Sequence, residues 1–152
     1  MKPLFVLLGV SLLTAGIARV VSGDWALILA GNVGMCVMLL FTALGHFKFT
    51  AGMVTMMPVL VPFKKELVYA TGVAEVLLGV ALLVPAVRPV AGVVLIGLFC
   101  LMLPANISAA MRRVNYETGE TDGPGLRYLW FRVPLQGVFI AWVGYFSLRN
   151  LF

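Results

Sequence analysis

Glu75 stands near the middle of the apolar run LVYATGVAEVLLGVALLVP, residues 67–85, and is the side chain in this sequence best placed to do chemistry. An ionised carboxylate in hydrocarbon is costly unless a partner or water reaches it, so an acid in such a run points to a site. Four more polar side chains interrupt apolar stretches elsewhere: His46, Asn106, Arg132 and Gln136. A carboxyl and an imidazole can exchange protons, while amides and a guanidinium can hold carbonyl or anionic oxygens. Whether these five residues make one site depends on the segments that carry them.

Of the 152 residues, 62% are hydrophobic and 11% charged, with a mean hydropathy of +1.06. Such a chain is an integral membrane protein of the all-α class. Apolar runs at residues 4–21, 25–47, 67–84, 90–111 and 128–148 each approach the ~20 residues that a spanning helix needs. Turn chemistry separates them, as in SGDW, RPV and RRVNYETGETDGPGLR. With no long linker and no internal repeat, residues 1–152 read as a single membrane domain. The segment TAGMVTMMPVLVPF, residues 50–63, is too short to cross and is broken by Pro58 and Pro62. It reads either as an interfacial or re-entrant element or as an apolar loop packed on the bundle, and in its sharper form as a lid over a cavity. The first run resembles a signal peptide in Lys2 and in the small-residue step AGIA, but its length favours an uncleaved helix.

The net charge of +5 does not signal nucleic acid, because the basic residues sit at the ends of the apolar runs, where they orient a membrane protein. Lys2, Lys48, Lys64, Lys65, Arg112, Arg113, Arg127 and Arg132 fall on one side, against Arg19, Arg88 and Arg149 on the other. This imbalance places the N-terminus in the cytoplasm and the C-terminal Phe152 outside.

A rise of ~1.5 Å per residue puts Glu75 roughly 12 Å below the cytoplasmic end of its span, Asn106 about 7 Å and Gln136 about 12 Å. Arg132 is shallower, and His46 and Lys48 lie at the end of the second run. All share one half of the bilayer, so His46, Glu75, Asn106, Arg132 and Gln136 are expected to line one cytoplasm-facing cavity. Gly72 and Gly79 would permit close approach beside the glutamate. Pro104 would free a carbonyl near Cys100, and Pro134 one near Trp130. Each residue also has a structural reading. Glu75 and Arg132 would form an interhelical clamp, His46 would sit at the interface, Asn106 and Gln136 would tie helices together, and Arg132 would snorkel. Cys36 and Cys100 lack redox spacing and read as small packing residues. One histidine and one glutamate fall short of a metal-ligand set.

Four fragments appear in order: GHF at 45–47, GVAEVLLG at 72–79, PANI at 104–107 and RVPLQ at 132–136. Together they resemble the DoxX-like family of small bacterial membrane proteins, over roughly residues 30–148. The resemblance implies a four-helix bundle in the bacterial inner membrane, with His46, Glu75, Asn106, Arg132 and Gln136 at the positions of the family's motif residues. An additional N-terminal transmembrane helix departs from that pattern. Some relatives are associated with sulfur or thiosulfate oxidation coupled to quinone, some with oxidoreductase complexes handling thiol or oxidative stress, and a distant animal relative acts as a receptor-assembly chaperone. Two expectations follow. One is an accessory subunit of redox or quinone-linked metabolism, working with a membrane redox partner or as a homo-oligomer, whose cavity binds a lipid-soluble ligand such as a quinone. The other is a noncatalytic assembly factor whose polar residues fix its own fold. A small-solute or proton carrier would be expected to show a two-fold repeat, and none is visible.

Overall fold

The computed structural model describes residues 2–149; Met1 and residues 150–152 lie outside it, and with them the C-terminal Phe152 whose placement the charge pattern addresses. Among the described residues every regular element is helical. In chain order these are α1 (Lys2–Ser22), α2 (Leu27–Lys48), α3 (Thr50–Met56), α4 (Lys64–Ala81), α5 (Arg88–Met111) and α6 (Leu129–Leu148), with a single 3₁₀ turn, Gly125–Tyr128, leading into α6. Three of them, α1, α2 and α5, are long and apolar enough to cross a membrane. The third apolar run was expected at 67–84, but its helix begins at Lys64 and stops at Ala81, because Leu82 to Val87 form turns that lead directly into α5.

α2 is the hub, packing against α1, α4 and α6, while α5 packs against α4 and α6. α2, α4, α5 and α6 therefore form a ring, with α4 and α6 across from one another and α1 laid against the outside of α2. The closest seam is between α2 and α4, which run antiparallel. Gly72 faces the His46 Cβ, Glu75 meets Thr42, and Gly79 lies over Cys36 and Leu39. Two glycines a double turn apart let the backbones approach, and the glutamate between them reaches a partner on the facing helix. α1 docks through a similar device, with Gly34 of α2 against Leu7 and Ser11.

An apolar cluster fills the middle and one end of the ring: Met35, Met38 and Leu39 of α2, Leu95 and Phe99 of α5, Val143 of α6, and Leu82. At that end several polar groups satisfy one another. Asn32, fully buried, donates to the Ile28 and Phe146 carbonyls at 2.7 and 3.0 Å and accepts from Ser147 at 2.7 Å. Trp142 donates its indole N–H to the Gly31 carbonyl at 3.0 Å. Arg88, counted above as an orienting charge, is buried and donates from Nε to the Leu82 carbonyl at 2.7 Å, one of the acceptors that the end of α4 leaves open.

The opposite end is built from α3, the α5–α6 loop and the 3₁₀ turn. After α3 the chain runs through Pro58 and Pro62 with Val59, Leu60 and Phe63 exposed, and Phe63 takes a left-handed φ of 50° as α4 begins. Arg112 spans from the end of α5 to the Met56 and Met57 carbonyls at 2.8 and 2.9 Å, closing the C-terminal end of α3. The loop turns on Asn115, whose side chain accepts from the Glu117 N–H at 3.0 Å, and it rests on α3 where Gly52 lies under the Tyr116 backbone.

Candidate functional site

The five polar residues singled out in the sequence occupy three places. His46 and Glu75 meet in the α2–α4 seam, Asn106 and Arg132 line a cavity at the α3 end, and Gln136 joins α6 to α5.

In the seam, Glu75 is only 3% exposed. Its Oε2 accepts from the Thr42 hydroxyl at 2.8 Å, and its Oε1 lies 3.5 Å from His46 Nε2, the only ion pair among the described residues. His46 is buried, and the far side of its ring faces the Val68 carbonyl and the Thr71 hydroxyl, each 3.1 Å from Nδ1. The clamp between Glu75 and Arg132 is not formed. Their helices, α4 and α6, stand across the ring, and each residue takes a nearer partner. Thr42 and Thr71 were not singled out in the sequence, yet each lies four residues before its acid or base. The patterns Thr-x-x-x-His and Thr-x-x-x-Glu put each pair on one helix face.

Gln136 donates to the Phe99 carbonyl, beside the Cys100 carbonyl that Pro104 deprives of its helical partner. Its role is thus to couple α6 to the proline-bearing part of α5. Cys36 packs in the core, and Cys100 faces outward from the ring.

The cavity holds about 170 Å3 and is lined by Met56 of α3, Asn106, Ala109 and Ala110 of α5, the loop residues Val114 to Tyr116, and Pro124, Gly125, Tyr128 and Arg132. It is smaller than the ~300–1,000 Å3 of drug-sized sites and close to the ~150 Å3 that accommodates one benzene ring. Arg132 donates from Nη1 to the Tyr128 hydroxyl at 3.1 Å and lies over that ring at 5.7 Å, an i, i+4 contact across the start of α6. Because the Tyr128 oxygen accepts this bond, its own hydrogen remains to be donated. Tyr116 donates to Glu117 at 2.9 Å. Burial, reinforced by the adjacent Glu117 carboxylate, pushes this phenol up to about 12, so it stays protonated. No carboxylate belongs to the lining; Arg132 and Tyr128 are able to donate there, and the Asn106 amide can both donate and accept. Among the described residues no group of three or more His, Cys, Asp or Glu side chains is placed to hold a metal.

Fold and site together define a helical protein with membrane-length apolar helices, a buried acid–base pair and a small donor-lined cavity at one end. The chain belongs to the family described as a domain of unknown function, DUF8561, whose model matches residues 35–147. The match starts within α2 and ends within α6, so it takes in the ring and omits α1. No curated protein and no solved structure matches the chain.

Proposed function

We propose that this chain is a DoxX-like accessory subunit of redox- or quinone-linked or oxidative-stress metabolism in a bacterial inner membrane, and that it holds the acceptor oxygens of a lipid-soluble ligand in the cavity between α3, α5 and α6. The observation that carries this reading is the cavity's chemistry: Arg132, Asn106 and Tyr128 offer donors, and no lining carboxylate competes for them. The volume suits one ring or headgroup, so the tail of a quinone would pass out between helices. In this reading α2, α4, α5 and α6 are the four-helix bundle, all of them cross the bilayer, and α1 is the extra N-terminal helix. The cluster of basic residues around the cavity end sets that end in the cytoplasm.

Support for the DoxX-like assignment is the ring of four helices together with the motif fragments, whose His46 and Glu75 meet in the seam. A second reading, a noncatalytic assembly factor, draws on the full set of interhelical partners held by Asn32 and Glu75, which would serve a scaffold equally well.

The test is mass-spectrometric identification of quinones and lipids copurifying with the protein from native membranes. An oxygen-bearing ligand should accompany the wild type and Glu75→Gln but be depleted in Arg132→Met and Asn106→Leu. Equal retention in all four proteins, or none in the wild type, would overturn the ligand reading in favour of the scaffold. A reporter fused after Phe152 should be active only outside the cytoplasm.

A further inference from the structure

The hydrogen-bond partners around the single histidine determine more than its position. Nδ1 of His46 faces the Val68 carbonyl at 3.1 Å, and a carbonyl only accepts. Its other neighbour, the Thr71 hydroxyl, has its hydrogen occupied within α4 by the Leu67 or Val68 carbonyl at 2.9 or 3.0 Å and so presents a lone pair to the ring. The Val68 carbonyl therefore requires a hydrogen on Nδ1, and the Thr71 hydroxyl is able to accept it as well. A neutral ring with that hydrogen has a bare lone pair at Nε2, and Glu75 Oε1 lies 3.5 Å from that nitrogen. Were the carboxylate also bare, an anion and a lone pair would face each other in a site where Glu75 is 3% exposed.

We propose that His46 and Glu75 form a single-proton site in the α2–α4 seam, binding one proton between Nε2 and Oε1 and carrying no net charge as a pair. The proton takes either of two positions. On Nε2 it makes an imidazolium facing a carboxylate; if the N–H bond breaks and the O–H bond forms, it makes a neutral imidazole facing a carboxylic acid. Charge is conserved in this exchange, and Nδ1 keeps its hydrogen throughout. Thr42 steadies the carboxyl from the other oxygen, and Gly72 leaves the space that the His46 Cβ occupies.

No other ionisable group competes for this proton. α1, packed on α2, has Lys2 and Arg19 at its ends. α3 contributes no titratable side chain. α2 itself adds Cys36, packed in the core, and Lys48, over the Phe49 ring. α4 adds Lys64, Lys65, Glu66 and Tyr69 in its first two turns. On α5, Arg88 is taken up by the Leu82 carbonyl and Cys100 faces outward. On α6, Arg132 is held by Tyr128, while Tyr145 meets Phe146 edge to face and lies under Arg149. None of these forms an ion pair with Glu75.

Because His46 is the only histidine, nitrogen-15 histidine labelling reports this ring alone. NMR of the purified protein, read alongside the infrared carboxyl band that Glu75→Gln removes, gives both halves of the pair. Near neutral pH we expect a protonated Nδ1 and one of two combined signatures: imidazolium with carboxylate, or neutral ring with carboxylic acid. Raising the pH should remove the one shared proton in a single step, read at Nε2 in the first case and at the carboxyl band in the second. In Glu75→Gln, whose amide can donate to Nε2, the ring should stay neutral across that range. A neutral ring beside an ionised carboxylate near neutral pH, a bare Nδ1, separate steps for ring and carboxyl, or an unchanged ring titration in Glu75→Gln would each overturn the proposal. The wild-type spectra decide the matter even if the variant fails to fold.

Discussion

The α2–α4 seam and the α3-end cavity use the same local device and reach opposite results. In each, polar side chains stand four residues apart on one helix face: Thr42 and His46, Thr71 and Glu75, Tyr128 and Arg132; the last two bond each other, whereas in the seam the bonds cross between the helices, Thr42 to Glu75 and Thr71 to His46. In the seam the facing helix closes over them, since Gly72 leaves out the methyl that would collide with the His46 Cβ. At the cavity the opposing wall is a loop and a seven-residue helix, α3, and the polar groups keep space in front of them. The comparison teaches that a polar side chain in an apolar helix becomes a packing element or a binding element according to what stands opposite it. A wall of loop and short helix also opens at lower free energy than a helix seam, which suits the ligand site proposed for it.

The sharpest way to break this contrast is Glu75→Ala, which leaves the buried His46 and the half-buried Thr42 without their partner. We expect a loss of about 3 kcal/mol in stability, measured by unfolding in mixed detergent. Adding His46→Leu should recover part of that loss, whereas adding Arg132→Met should be additive, because Arg132 has no partner in common with Glu75. Coupling to Arg132 instead of His46 would contradict the seam as described.

Next in size is Gly72→Ala, whose new methyl would lie 2.8 Å from the His46 Cβ. Overpacking of this kind should cost about 2 kcal/mol. Gly79→Ala, with its nearest neighbours at 3.4 and 3.5 Å, makes only ordinary contacts and should cost about 0.5 kcal/mol or less. Equal losses at the two glycines would mean that the seam does not tighten toward His46.

On the cavity side, Gly52→Ala drives a methyl into the Tyr116 carbonyl, and the loop is the part able to move. Stability should fall by about 1 kcal/mol, while amide exchange in residues 112–124 accelerates and α2 and α4 keep their protection. Uniform acceleration across the chain would show the loop to be part of the same cooperative unit as the seam.

Smallest is Arg112→Gln. Its guanidinium is exposed and water can replace its bonds to the Met56 and Met57 carbonyls, so a loss of about 0.5 kcal/mol is expected, confined to α3.

By itself the sequence determined the class of this protein and the neighbourhood of its elements. Apolar runs of about 20 residues favour helices, which satisfy every backbone N–H and C=O within the segment, as a membrane-spanning segment would need. The helices that begin at Lys2, Leu27, Arg88 and Leu129 accordingly lie within two residues of the starts of the apolar runs at 4, 25, 90 and 128. Sequence also marked His46, Glu75, Asn106, Arg132 and Gln136, because polar groups in such runs are conspicuous. Depth along a helix, however, is only one coordinate. Residues at the same depth can face different neighbours, and the azimuth that separates them is set by which helices adjoin. Only the tertiary structure decided that α4 lies against α2 and across from α6, which joins Glu75 to His46 and leaves Arg132 with Tyr128. It also supplied the partners that carry no sequence signal of their own: the Val68 carbonyl at His46, the Phe99 carbonyl at Gln136 and the Leu82 carbonyl at Arg88. Every residue carries a carbonyl, so which one meets a given donor is settled by packing alone.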